Sequence, residues 1–279
     1  MQFAHDNTNP GGEIDVLDSA GYGNLTITKA ITIVGDGSIA GVLATAGQNG
    51  ITINAGASDN VVLRGLTIEG GGVGKNGIVL TNAGSLTVDH CAIQGFGASQ
   101  PDGNGILMAP QSGSFKFKIV DSSVQNTSYV GIHYFPGGGG AYIFGEIAHT
   151  YVSGTTYGIS MNLSGTAPTA GVTLGVDDTI VSQTTTGLFL YGLATNNGVL
   201  AFVENSRLYS SLNINAGTIG INLGPNTSVY LGRSRVSAWA TGIKIDAAHG
   251  AAAYTHGDNH FAGNSPDFFG ATLTVAPPQ

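Results

Sequence analysis

Asp177, Asp178 and Glu204 are acids whose spacing could do chemistry. Asp177 and Glu204 are one repeat apart, as the periodicity below shows, and Asp178 and Asn205 stand beside them. Two neighbouring carboxylates can divide into a general acid and a general base, because like charges raise one of the two pKa values. Three carboxylates with an amide can instead hold Ca²⁺, a hard cation that takes oxygen ligands. A third reading is structural. Asp178 occupies the same repeat position as Gly65, His90, Asp121, His149, Asn205, Arg233 and Asp258. Asn, Asp and His are favoured at turns because they tolerate a left-handed backbone. Arg207, Arg233 and Arg235 are close enough in sequence to neutralise the acids.

A second constellation is aromatic. Repeat alignment places His133, Phe135, Ser160, Asn162, Phe189 and Tyr191 on one outward surface across three units. Rings interleaved with amide, hydroxyl and imidazole groups suit sugars, which stack on π-faces and need hydrogen bonds at their edges. The same surface could be covered by the loop beginning at Pro136-Gly137, or by another protein. Lys118 and Glu146 also share a column. A lysine there could abstract a proton beside a uronate carboxylate, or simply pair with the acid on the surface. Cys91 falls at an inward position and reads as a small buried hydrophobe.

The elements that must position these groups come from an internal repeat. Gly-Ile or Gly-Leu recurs at Gly50, Gly77, Gly105, Gly131, Gly158, Gly187, Gly220 and Gly242, at spacings of 22 to 33 residues. A six-residue block with apolar ends keeps step with it: Leu63–Ile68, Val88–Ile93, Ile119–Val124, Ile147–Val152, Val176–Val181, Val203–Leu208 and Leu231–Val236. Between the markers apolar and polar residues alternate, broken by Gly, Asn and Ser, which is strand text. Regular strands one short repeat apart suit a solenoid of stacked parallel coils. The expectation is an all-β, single-stranded right-handed parallel β-helix of roughly ten coils. It forms one domain over 1–279. Residues 1–12 serve as an N-terminal cap or a truncated first coil, and 262–279 as a C-terminal cap. An uncovered first coil would leave an edge open to a second copy of the chain.

Val88-Asp89-His90-Cys91-Ala92-Ile93, Val203-Glu204-Asn205-Ser206-Arg207-Leu208 and the Gly-Ile openings resemble the right-handed parallel β-helix repeat proteins of the pectate-lyase-like superfamily. The resemblance covers about residues 12 to 264. It implies a polysaccharide partner and a lyase, hydrolase or epimerase reaction, although the superfamily also holds members without known chemistry. Asp177-Asp178 and His249-Gly250 match fragments of the pectin-hydrolysing set, but no Arg-Ile-Lys follows, so that site is not carried over.

Composition narrows the field. Of 279 residues, 9% are charged and 45 are Gly, and the net charge is -8. With 9 Lys and Arg in all, no basic footprint exists for nucleic acid. No apolar run is long enough to span a membrane. One cysteine excludes an intrachain disulfide. A Ser/Thr/Asn/Gly surface suits an extracellular, periplasmic or cell-surface setting, and the opening Met1-Gln2-Phe3-Ala4-His5-Asp6 is no signal peptide. Two function classes stand: a carbohydrate-active enzyme, with Ca²⁺ as its candidate cofactor, and a non-catalytic solenoid that binds glycan or protein.

Overall fold

The computed structural model describes residues 1–111, 113–137, 142–164, 170–193, 198–210 and 217–276. The alternating text folds as expected into short strands, all paired in parallel with the strand one coil away. Each coil has three faces. The first carries eleven strands, from Gly12–Asp15 to Thr274–Val275. The second and third belong to one 18-stranded sheet, because Tyr151–Asn162 and Ile180–Tyr191 run unbroken around the corner between them. The architecture is a right-handed parallel β-helix.

About eight turns are regular, against the ten expected from length alone. The difference lies at the ends, where strands shrink to two residues, as at Ala20–Gly21, Phe268–Phe269 and Thr274–Val275. The helix Gln2–Asn7 lies over the first coil. Its His5 is buried, and Met1 and Ala4 pack on the core. Phe261 and Phe268 meet edge to face at 4.9 Å near the other end. Residues 277–279 of the expected C-terminal cap lie outside the described residues.

Both sequence markers mark corners. The six-residue block is a turn between the first and second faces. Its third residue is left-handed in coil after coil: His90, Asp121, His149, Asp178, Asn205 and Arg233 have φ between 39° and 51°. The next residue turns inward and supplies a buried hydroxyl to the coil before it. Ser122 Oγ accepts from Cys91 N–H, Ser206 Oγ from Thr179 N–H, and Ser234 Oγ from Ser206 N–H, each at 3.1 Å. Backbone donors that the turn would orphan are thereby satisfied. The Gly-Ile marker opens the third face. A Cβ on Gly158 would stand 2.6 Å from the carbonyl oxygen of Gly187, and one on Gly187 the same distance from that of Gly220. The marker is glycine because successive coils touch backbone to backbone there.

Inside, aliphatic side chains stack column on column with Phe96, Tyr134 and Trp239 fully buried among them. The Trp239 indole donates to Leu208 O at 3.0 Å, so its polar edge is met. Cys91 is buried as expected, and burial pushes its thiol up to about 12. It is a packing residue and not a nucleophile.

Candidate functional site

The third face carries the expected columns in register. Leu107, His133, Ser160, Phe189, Asn222 and Lys244 are paired in that order, and Asn162 pairs with Tyr191. Coils ~4.8 Å apart bring these side chains into contact.

The patch is not uniformly exposed, which corrects the expectation. His133 and Ser160 are only 5% and 3% exposed. Two tyrosines that column counting passed over account for part of this. Tyr129 meets the His133 ring edge-on at 5.8 Å, and it meets Tyr157 edge-on at 5.8 Å. Tyr157 reaches Phe189 at 5.5 Å, and Phe189 lies beside Tyr191 at 6.1 Å. Phe135 flanks His133 at 5.6 Å and is 39% exposed. The surface therefore consists of Phe135, Tyr129, Tyr157, Phe189, Tyr191 and Asn162, with His133 and Ser160 as its floor. A readable signal for the two tyrosines existed: each stands just before a Gly-Ile marker, Tyr157 against Gly158 and Tyr129 against Val130-Gly131.

The floor is anchored by an amide ladder. Asn76 Nδ2 donates to Asn49 Oδ1 at 3.1 Å, and Asn104 Nδ2 donates to Asn76 Oδ1 at 2.8 Å. Asn104 Nδ2 also donates to Pro101 O at 2.8 Å. Its Oδ1 is thus the acceptor for His133 Nδ1, 3.1 Å away, and this network assigns the proton to Nδ1. Burial lowers the His133 pKa to about 4, so the imidazole is neutral at pH 7. Burial, with Tyr157 adding to it, raises the Tyr129 phenol.

The acids lie on the other side of the molecule, at the corner leaving the first face. Asp177 and Glu204 are register partners, as the repeat implied. Asp177 and Glu204 are joined through Asn205 and Arg233, whose Nε donates to Asn205 Oδ1 at 2.8 Å, and Asp178 has a partner of its own. Asn205 Nδ2 donates to Asp177 Oδ1 at 2.7 Å. Arg233 lies 3.0 Å from Glu204 Oε2, and His256 lies 3.9 Å from Oε1. Asp178 faces His149 at 3.7 Å. Among the described residues one set of three potential metal ligands draws within 4.8 Å, and it is Asp89, His90 and Asp121 rather than Asp177, Asp178 and Glu204. Glu204 borders a shallow hollow with Phe202, Tyr230, Arg233 and His256. Lys118 and Glu146 form a 3.2 Å ion pair with both side chains half-exposed, the arrangement of a surface pair.

Fold and columns together define a protein of the right-handed parallel β-helix class. Two solved structures illustrate the likeness. The chain is similar to the Dettilon tailspike protein gp208 (13% identity, TM-score 0.47), over 90% of this chain and 61% of that one, so it spans less than two thirds of the tailspike. It is also similar to the A-module of mannuronan C-5 epimerase AlgE6 of Azotobacter vinelandii (13% identity, TM-score 0.49), over 100% and 94%. No family model and no curated protein matches the sequence.

Proposed function

We propose that this protein is a carbohydrate-binding β-helix that holds a polysaccharide against its third face. The observation that supports this best is the run of half-buried rings over three successive coils, from Phe135 and Tyr129 through Tyr157 to Phe189 and Tyr191. Most of these contacts are edge-on or tilted, which leaves π-faces free for sugar C–H groups. Asn162 and the tyrosine hydroxyls supply edge hydrogen bonds. A repeating glycan matches a repeating coil, so affinity can accumulate along the axis. The sparsely charged Ser/Thr/Asn/Gly surface fits an extracellular or cell-surface setting.

His133 is the titratable group in the floor of this surface, with Tyr129 packed against its ring, but burial lowers its pKa to about 4 and makes it a weak base, so the geometry supports binding before catalysis. Affinity electrophoresis through gels containing neutral or acidic polysaccharides tests binding. Tyr157→Ala and Tyr191→Ala should each weaken retardation about tenfold. Unchanged retardation in both variants would remove the third face as the binding surface. Reducing ends or unsaturated products, lost in His133→Gln, would add catalysis.

A further inference from the structure

Asp89, His90 and Asp121 lie at the corner between the first and second faces, away from the aromatic surface. The left-handed column of that corner sets up their geometry. His90, Asp121 and His149 hold the same place in three successive coils, with φ of 51°, 49° and 48°. Each is tied to the next coil by its backbone. His90 N–H donates to Val120 O at 3.2 Å, Asp121 N–H to Ala148 O at 3.2 Å, and His149 N–H to Asp177 O at 3.1 Å. Equal backbone angles on coils ~4.8 Å apart send the three side chains out side by side. With Ser122 and Ser123 they border one shallow hollow of about 430 Å³.

The charge of this corner changes along the molecule. Toward the N-terminal end Arg64 lies 2.8 Å from Asp36 and 3.8 Å from Asp89 Oδ2. Toward the C-terminal end Arg233 pairs with Glu204. Between them no Lys or Arg among the described residues pairs with Asp121 or Asp178, and imidazoles stand where a cation would.

The potential ligand atoms are already close. Asp89, His90 and Asp121 offer atoms within 4.8 Å of one another, and His149 Nδ1 lies 3.5 Å from Asp121 Oδ1. His90 Nδ1 lies 2.6 Å from Asp89 Oδ1. A carboxylate only accepts, so Nδ1 carries the proton and the neutral ring keeps its lone pair on Nε2. A carboxylate behind an imidazole is how metal-binding rings are commonly oriented. His149 is held less firmly. Its Nε2 is 3.7 Å from Asp178 Oδ2, beyond hydrogen-bond length, so the ring can turn toward the hollow. His90, Asp121 and His149 are all exposed, so an ion reaches them from solution without opening the fold.

We propose that His90, Asp121 and His149 bind a late first-row divalent metal of the Zn²⁺ type, with Asp89 orienting His90. Two imidazoles and one carboxylate suit such an ion, whereas Ca²⁺ and Mg²⁺ take oxygen ligands. The ion clips three coils together at one corner. The site uses no residue of the third face, so it stands or falls separately from glycan binding.

The test is calorimetric titration of the untagged chain with Zn²⁺ at about pH 7.5, because Asp89 raises the His90 pKa and both rings must be neutral to bind. One equivalent should bind with a Kd in the micromolar range, and excess Zn²⁺ should raise Tm by a few degrees. His90→Asn, Asp121→Asn and His149→Asn put at each position a residue that accepts a left-handed backbone. Their melts in chelator should superimpose on wild type, so that lost affinity reads the ligands and not the fold. Each should weaken Zn²⁺ binding at least tenfold, and Asp89→Asn about tenfold. His249→Asn, which breaks a separate exposed pair with Asp246, should bind like wild type. Ca²⁺ in place of Zn²⁺ should give neither heat nor a rise in Tm. A titration without a one-equivalent Zn²⁺ transition, equal binding of Ca²⁺, or unchanged affinity in Asp121→Asn and His149→Asn would overturn the proposal.

Discussion

The molecule builds rings on its surface in two ways. On the first face Phe202, Tyr230 and Tyr254 are direct register partners, and their rings stack at 5.3 and 4.5 Å with interplanar angles of 23° and 15°. On the third face the rings come from different columns, and the contacts that cross coils are tilted or edge-on: 85° for Tyr129 with Tyr157, 55° for Tyr157 with Phe189. A stacked ladder spends its π-faces on itself, so its inner rings offer a ligand little more than their edges. A staggered set keeps faces open. Aromatic content alone therefore does not identify a binding surface in a solenoid. The relation of each ring to the coil above it does.

The largest effect should come from the backbone beneath the third face. Gly158→Ala places a Cβ 2.6 Å from Gly187 O, where the neighbouring coil cannot withdraw without losing its ladder. The expected cost is about 3 kcal/mol, read as a drop of several degrees in Tm. Gly175 is the control. It lies in the outward column between Glu146 and Phe202, and a Cβ there would meet only Gly145 O, at 3.9 Å. Gly175→Ala should change stability by less than ~1 kcal/mol, in either direction. Equal losses in both variants would remove the distinction between backbone-contact glycines and open ones.

The next effect is a pH dependence confined to the third face. Burial holds the His133 pKa near 4, whereas in the unfolded chain it is ~6.5. The unfolded state then binds the proton first, so stability falls as pH drops. The loss begins near the unfolded value and reaches about 3 kcal/mol by pH 4. His133→Gln should flatten this component of the stability profile between pH 6.5 and 4, measured by denaturant unfolding at each pH. A parallel profile for wild type and variant would show that the imidazole is not neutral and buried in the folded state.

Much of this was legible in the sequence, for a definite reason. A β-helix writes its architecture as period-2 alternation within strands and a fixed step between coils, so register follows from counting. The column from Leu107 through His133 to Lys244 could be listed before any coordinate existed. The left-handed corner was legible too, because Asp, Asn and His at one position report its backbone. Burial was not. Whether an outward His133 reaches solvent depends on how far Tyr129 and Phe135 lean across it, and side-chain lean leaves no periodic mark. The helical form of the segment expected as a cap or truncated first coil was not legible for a related reason: the helix Gln2–Asn7 is six residues long, too short for a helical stripe to show.

The smallest effects should arise at the acids that first drew attention. Glu204→Gln removes an exposed pair with Arg233, whose own side chain is 62% exposed, and solvent screens such pairs to below ~1 kcal/mol. The carboxylate also rests over Gly232, which has no side chain to lose contact with it. Tyr230, its neighbour in the same hollow, keeps stacking on Phe202 and Tyr254 in the variant. Thermal melts should therefore superimpose nearly, and polysaccharide retardation should be unchanged, because Tyr230, the inner ring of the stacked ladder, has both faces covered. Millimolar Ca²⁺ should leave Tm where it is, since Asp177 and Glu204 are already held in one network with Asn205 and Arg233, and Asp178 faces His149. A Ca²⁺-dependent rise in Tm that disappears in Glu204→Gln would reverse this. It would mean that the acids leave those partners to share one ion, and the first face would then rank with the third as a functional surface.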